Sequence, residues 1–277
     1  MNELSAVESY LQDFHQRIVG STTVAFGALP AKANGATYSS SYHVLASLIP
    51  TDPKPITVLD MACGDGHLLR LLADRRQSGL RLVGVDMSQG ELDAASATLP
   101  ADVSLLRERA QQLSVGTSTV DFVLSHMALM LMDDIDLVFS EIRRVLTLRG
   151  TIAFVVGRSF LSGPVQRVYL DTLRPIAREE GAQLRFGDPR TQSEEGWEAL
   201  LSRSFSDFTC ADVDVDWNPT PTELWESLAT TYDVDRLSVS GQSTLRQRFL
   251  SALVEFQMDD GHIRTGWAQR LVTARAA

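Results

Sequence analysis

Residues 58–69, VLDMACGDGHLL, hold the densest chemistry in the chain. An apolar run closes on a carboxylate, Asp60. Five small residues follow, Ala62, Cys63, Gly64, Asp65 and Gly66, and a helical pattern opens at His67. Glycines there let a ligand's polar atoms approach the backbone, and a helix start presents unpaired N–H groups. Twenty residues beyond Gly66 a second apolar run, VGVD, ends on Asp86, where a carboxylate accepts both hydroxyls of a ribose. The pair implies a nucleoside-bearing cofactor lying across the ends of adjacent strands. A dinucleotide fingerprint needs a third glycine that this register lacks. Asp60 and Asp65 would also repel a pyrophosphate, whereas a cationic amino-acid cofactor tolerates them. The loop therefore favours S-adenosylmethionine over NAD. His126 follows another apolar run, VDFVLS. An imidazole at such a strand end serves as a general base near neutral pH or as a hydrogen-bonded structural group, and the sequence leaves both open.

The elements that must position these residues follow from hydrophobic rhythm. From Ile56 onward short apolar runs (56–61, 80–86, 103–106, 120–126, 151–156) alternate with helical patterns (67–76, 91–99, 135–146). That alternation predicts βαβ units, a parallel sheet and right-handed crossovers. Before it, Leu4, Val7, Leu11, Phe14 and Ile18 make one stripe of an amphipathic helix, stopped by Gly20. Residues 20–38 read as a loop, and Ser39–Ser41 offer caps for a second helix ending before Pro50. After Gly157 the alternation stops: 164–204 is helical in pattern, and 208–217 alternates as a strand whose Asp212, Asp214 and Asp216 face solvent. Helical patterns at 222–230 and 243–257 precede a last strand. The expected division is an N-terminal helical cap, 1–50, and a main domain, 51–277, with a helical lid inserted at 218–260 over an acceptor pocket. The length of that insertion far exceeds an ordinary connection.

VLDMACGDG resembles the first motif of class I S-adenosylmethionine-dependent methyltransferases, and GVDMS their ribose-binding strand end. Residues 120–156 look like their fourth strand, following helix and fifth strand. The small-molecule branch, of quinone and secondary-metabolite type, is the nearest in flavour, and the resemblance covers about 56–157. It implies an α/β, Rossmann-like, doubly wound and mostly parallel seven-stranded sheet with an antiparallel last strand. It also implies that Asp60, Ala62, Gly64 and Gly66 hold the methionine moiety, Asp86 the ribose, and that Met87 lies against the adenine. Ser125 joins this set, and Tyr38 reaches the cofactor's carboxylate. Ala62 stands where the family has its first loop glycine, and Arg149-Gly150 where it has Gly-Gly. Arg109 stands where an Asp usually meets the adenine amine, so Gln111 or the Ala110 backbone takes that role. His126 is the expected base or acceptor anchor, with Tyr42 as its hydrogen-bonding partner.

The chain has 277 residues and a net charge of −10. So acidic a molecule lacks the field that draws proteins onto phosphate backbones or anionic lipid. Its longest apolar run, Met127–Met132, is far below the ~20 residues a membrane span needs. Cys63 and Cys210 make no disulfide framework, no metal-ligand spacing occurs, and the N-terminal residues carry acids where a secretory signal is basic. The expectation is a cytoplasmic enzyme with a small-molecule methyl acceptor and no nucleic-acid or membrane partner, its oligomeric state open, a homodimer included. A tRNA or protein methyltransferase and a non-catalytic cofactor-binding subunit are the competing readings.

Overall fold

The computed structural model describes residues 4–52, 54–182 and 184–277. The runs of β-branched and aliphatic residues form strands where the alternation predicts them. They are β3 (Ile56–Met61), β4 (Leu80–Asp86), β5 (Ser104–Arg107), β6 (Val120–His126) and β7 (Leu146–Ser159). β3 pairs in parallel with both β4 and β6. β5 adds to β4 and β7 to β6, both also parallel. Helices α4 (His67–Ala73), α5 (Gln89–Thr98) and α6 (Ile135–Val145) make the crossovers. The interior strands are mainly apolar, as burial on both faces requires: Val58, Leu59, Val123, Leu124, Ile152 and Phe154 are almost fully buried.

The N-terminal stripe becomes α1 (Ala6–Arg17), which starts at a reciprocal Ser5/Glu8 capping box and buries Val7 and Phe14. Gly20, at a φ of +69°, turns the chain into α2 (Ser21–Phe26). The stretch read as a loop is otherwise a hairpin, β1 (Ala31–Ala33) against β2 (Ala36–Tyr38). Its turn is Asn34-Gly35, both at positive φ, the pair that two-residue hairpin turns prefer. α3 (Ser41–Ser47) follows, capped by Ser40. With β8 (Phe205–Trp217) and β9 (Thr265–Ala276), the mixed sheet has nine strands among the described residues instead of the expected seven, in the order β2-β1-β8-β9-β7-β6-β3-β4-β5. The two additional strands are those of the hairpin.

The chain divides into two compact units. The first comprises 1–158, 186–213 and 269–277 and contains β1 to β6 with α1 to α6. The second comprises 159–185 and 214–268. Within it α7 (Pro164–Glu179), α9 (Pro221–Ala229), α10 (Tyr232–Asp235) and α11 (Val239–Leu253) follow one another, with α8 (Glu194–Leu201) left to the first unit. Tyr169 of α7 meets Phe249 of α11 edge-on at 5.5 Å. Glu180 accepts the Ser238 N–H and hydroxyl at the start of α11.

Candidate cofactor site

Because β6, β3, β4 and β5 run parallel side by side, their C-terminal ends share one edge, where open α/β sheets bind ligands. Asp60 lies one residue short of the end of β3, level with Gly84 of β4 and Leu124 of β6. The Cys63 N–H donates to the Val85 carbonyl at 3.0 Å, which folds the 62–66 loop back over the strand tips. Gly64 and Gly66 hold φ of +54° and +78°. The two differ in surroundings. A side chain on Gly66 would lie 2.8 Å from Leu99 and 3.0 Å from Ala95, whereas one on Gly64 would meet only the Glu91 carboxylate, at 3.8 Å. Gly64 thus leaves an open cradle, and Gly66 seats α4 on α5.

Asp60 and Asp86 are both buried. Asp86 accepts the Gly64 N–H at 2.9 Å and the Ser88 N–H at 2.8 Å, which fixes its carboxylate at the rim of the loop. Burial pushes the Asp60 pKa well up, and the charges of Asp86 and Asp65 push it further. Asp86 is also raised by burial, less its two backbone hydrogen bonds. Acids held at such a disadvantage are stabilised by a cation placed among them. An ammonium on an amino-acid moiety fits the cradle, and a pyrophosphate does not.

α1 crosses this edge. The Gln12 amide donates to the Met87 carbonyl at 3.1 Å, and the Gly90 N–H donates to Gln16 at 2.9 Å. Glu91, an acid buried on α5, accepts the Gly20 N–H with both oxygens and faces His15 at 2.9 Å. Glu8 receives Arg109 and the Gln111 amide, both from the segment after β5. Ala110 packs half-buried against the core that includes Leu129. Sequence reasoning found α1 by its apolar stripe but missed Glu8, His15, Gly20 and Glu91. Their partners stand more than 70 residues away, and only the acidic cap at Glu8 left a local trace.

His126 ends β6 almost fully buried. Its ring stacks on Tyr42 of α3 at 3.7 Å and 20°, with Phe26 edge-on at 5.8 Å. Its Nε2 shares a 2.8 Å hydrogen bond with the Ser41 hydroxyl, while Nδ1 has no partner among the described residues. Burial, with His67 nearby, pushes the imidazole down to about 3, so it is neutral at pH 7. Tyr42 bonds Thr23, and burial drives its phenol far above the ordinary value. The contact between Tyr42 and His126 is a ring stack, and the hydrogen-bonding partner of His126 is Ser41. Ser125 is buried, its hydroxyl without a hydrogen-bond partner among the described residues. Tyr38, half-buried, ends β2 opposite Ala31.

Residues 59–154 match the family described as methyltransferase domain. This stretch carries a methyltransferase domain. Over 109 residues the domain-bearing chain is 33% identical to malonyl-[acyl-carrier protein] O-methyltransferase of Methylovorus sp. strain MP688, covering 36% of each. The chain spans little more than a third of the length of the curated relatives it matches. Among solved structures it is similar to the YcgJ protein of Bacillus subtilis, with a TM-score of 0.55 and 17% identity, covering 85% of this chain and 97% of that one. Geranyl diphosphate C-methyltransferase of Streptomyces coelicolor, solved with S-adenosylhomocysteine, gives a TM-score of 0.51 at 17% identity over 86% of this chain and 75% of that one. These likenesses establish the Rossmann-like methyltransferase fold.

Proposed function

We propose that the chain methylates a small-molecule acceptor, with S-adenosylmethionine held across the ends of β3, β4 and β5. The observation that carries this reading is the Gly64 cradle beside two buried carboxylates, whose raised pKa values suit a cationic amino acid and whose places at the ends of β3 and β4 suit a ribose on Asp86. The cofactor supplies an electrophilic methyl group on a sulfonium. The chain's own residues bind and orient. Asp60 and the 62–66 backbone hold the amino-acid end, Tyr38 reaches its carboxylate, Asp86 takes the ribose hydroxyls and Met87 lies along the base. Ser125, whose buried hydroxyl beside the Asp60 strand has no partner among the described residues, adds a hydrogen bond to the same edge.

Transfer to a nucleophile is an in-line displacement that needs proximity and a dry pocket above all. His126 anchors that pocket. Neutral at pH 7 and fixed between Ser41 and Tyr42, it brings no charge to the pocket, which suits orientation better than proton abstraction. The named acceptor of the curated relatives is a carrier-bound malonyl group. The family match spans strands that hold the cofactor, so it supports the cofactor more strongly than any acceptor. The net charge of −10 favours small acceptors over RNA, within a soluble enzyme of the cytoplasm.

The deciding experiment is calorimetric titration with S-adenosylhomocysteine. Two charge-assisted ribose bonds, about 1.5–3 kcal/mol each, make Asp86→Ala bind at least about tenfold more weakly. Equal affinity of the two proteins would refute the assignment.

A further inference from the structure

Two strand glycines of the first unit sit in opposite surroundings. Gly84 of β4 is walled in: a side chain there would lie 2.7 Å from Leu69 and 2.9 Å from Cys63. Gly157, near the end of β7, is half-buried, and a side chain there would meet only the Met127 methyl, at 3.9 Å. A glycine inside a strand forfeits packing and marks a place where something else approaches the backbone closely. The face on which it opens follows from alternation. Phe154 and Val156 point into the core that also holds Trp197, so Val155 and Gly157 point the other way. His126 pairs with Val155 and shares that opposite face.

Gln269 reaches the same face from β9. Thr209 and Thr273 share a hydroxyl hydrogen bond at 2.7 Å, and the Ala277 N–H donates to the Ser204 carbonyl. Here β8 and β9 therefore run antiparallel, with Asp212 beside Arg270. Arg158 of β7 reaches Asp212 across β9, Nε to Oδ1 3.2 Å, which sets Arg158 level with Arg270. Gln269 is thus a diagonal neighbour of Gly157 at ~7–8 Å. Val272, Ala274 and Ala276 join the core with Phe154, so Gln269 faces away from it, as Gly157 and His126 do. Gln269 is almost fully buried. Among the described residues neither end of its amide has a hydrogen-bond partner, and neither has His126 Nδ1. Unpaired buried groups cost a fold stability, and these border one open patch.

Charge and hydrogen-bond inventory decide what complements them. The Gln269 amide offers a donor and an acceptor side by side. Another amide matches both, whereas a carboxylate only accepts. No residue of the three is charged at pH 7. Asp60 lies on the same face one strand further on, since Leu59 and Met61 point into the core. An anion in the patch would give up its water and meet no cation. We propose that the patch over Gly157, between the His126 imidazole and the Gln269 amide, is the acceptor subsite and takes an uncharged, planar, amide-bearing molecule. Gln269 sets that specificity. The subsite rests on the reading of the chain as a small-molecule methyltransferase and names the class of its acceptor.

The Met127 methyl adjoins the patch and reports on it. The full chain, isotope-labelled at its methionine methyls and saturated with S-adenosylhomocysteine, is titrated with benzamide and with benzoate, which differ by an amide replaced with a carboxylate. The Met127 resonance is assigned through Met127→Leu. Benzamide moves it and binds at least about tenfold more tightly than benzoate. Gln269→Leu weakens benzamide at least about threefold and melts higher than the wild type, because the free protein loses an unpaired amide. Gly157→Val fills the patch and abolishes the response. A Met127 resonance indifferent to benzamide, or benzoate bound as tightly, overturns the proposal. Gln269→Leu that melts lower and binds benzamide like the wild type makes the amide a structural one and overturns it too. Calorimetry without added benzamide separates the failures: a chain that does not bind S-adenosylhomocysteine, yet still shifts Met127 with benzamide, keeps an amide site and loses its role as methyl-acceptor subsite.

Discussion

A buried imidazole is a statement about stability as well as chemistry. His126 is pushed from the ordinary 6.5 down to about 3 by burial. The unfolded chain takes up the proton below pH 6.5 and the folded one does not, so this histidine's contribution is complete above 6.5 and is lost as pH falls toward 3. Each pH unit within that window weakens the fold by about 1.4 kcal/mol. His126→Phe keeps the stack on Tyr42 and removes the titration, while the other histidines are common to both proteins. The stability of the wild type relative to this variant should fall by about 2 kcal/mol between pH 6.5 and pH 5 in urea unfolding. A difference that stays constant across that range would mean that the ring is protonated in the folded state. The same scale explains two departures from the resembled family. Ala62 and Arg149 replace expected glycines, and both hold positive φ, +56° and +63°. Each costs about 1–2 kcal/mol of left-handed strain that a glycine avoids. The sequence shows the substitution; only the backbone shows that it is strained.

Elements turn these residues into a site, and the glycine loop between β3 and α4 shows how. Gly64 and Gly66 both hold positive φ, so an alanine at either strains the backbone. What differs is the space above them. Gly66→Ala drives a methyl group into Leu99 and Ala95 and prises α4 from α5, so its melting temperature should fall well below that of Gly64→Ala. Gly64→Ala meets no protein atom closer than 3.8 Å and instead fills the cradle, so it should lose S-adenosylhomocysteine at least about tenfold while staying folded. Thermal melts paired with calorimetry separate the two, and Gly64→Ala binding as tightly as the wild type would remove the cradle from the site. β3, β4 and β6 were legible to the residue, because fully buried strands write continuous apolar runs bounded by polar turns. The β1–β2 hairpin was not, although Asn34-Gly35 is the signal for it: three-residue strands are too short to show alternation. α1 was visible by its apolar stripe, but its polar residues carry its contribution to the site. Glu8 and His15 look like ordinary solvated positions until their distant partners, Arg109 and Glu91, are folded beside them.

The molecule as a whole carries −10, and no helix among the described residues is long and apolar enough to cross a membrane. Charge at this scale decides which acceptors can approach. Non-specific RNA binding comes almost wholly from counterions released as Lys and Arg neutralise phosphates, and its affinity falls steeply with salt. Here several arginines are already committed. Arg109 is held by Glu8, Arg144 by Glu141, and Arg190 by Asp136 and Asp188. A tRNA methyltransferase needs a basic face in spite of its net charge, and that face would reveal itself through salt. Mixed with total tRNA and passed over a filter, the protein should retain no more RNA than a blank at 150 mM salt. Lowering the salt to 50 mM should gain little, because a surface that contacts six or more phosphates would gain ~10³-fold or more over a comparable range. Retention that climbs steeply on dilution would expose a basic face, and the acceptor would then be sought among nucleic acids. Flat, blank-level retention leaves the small-molecule acceptor standing on the chemistry of the Gly64 cradle and its two buried acids.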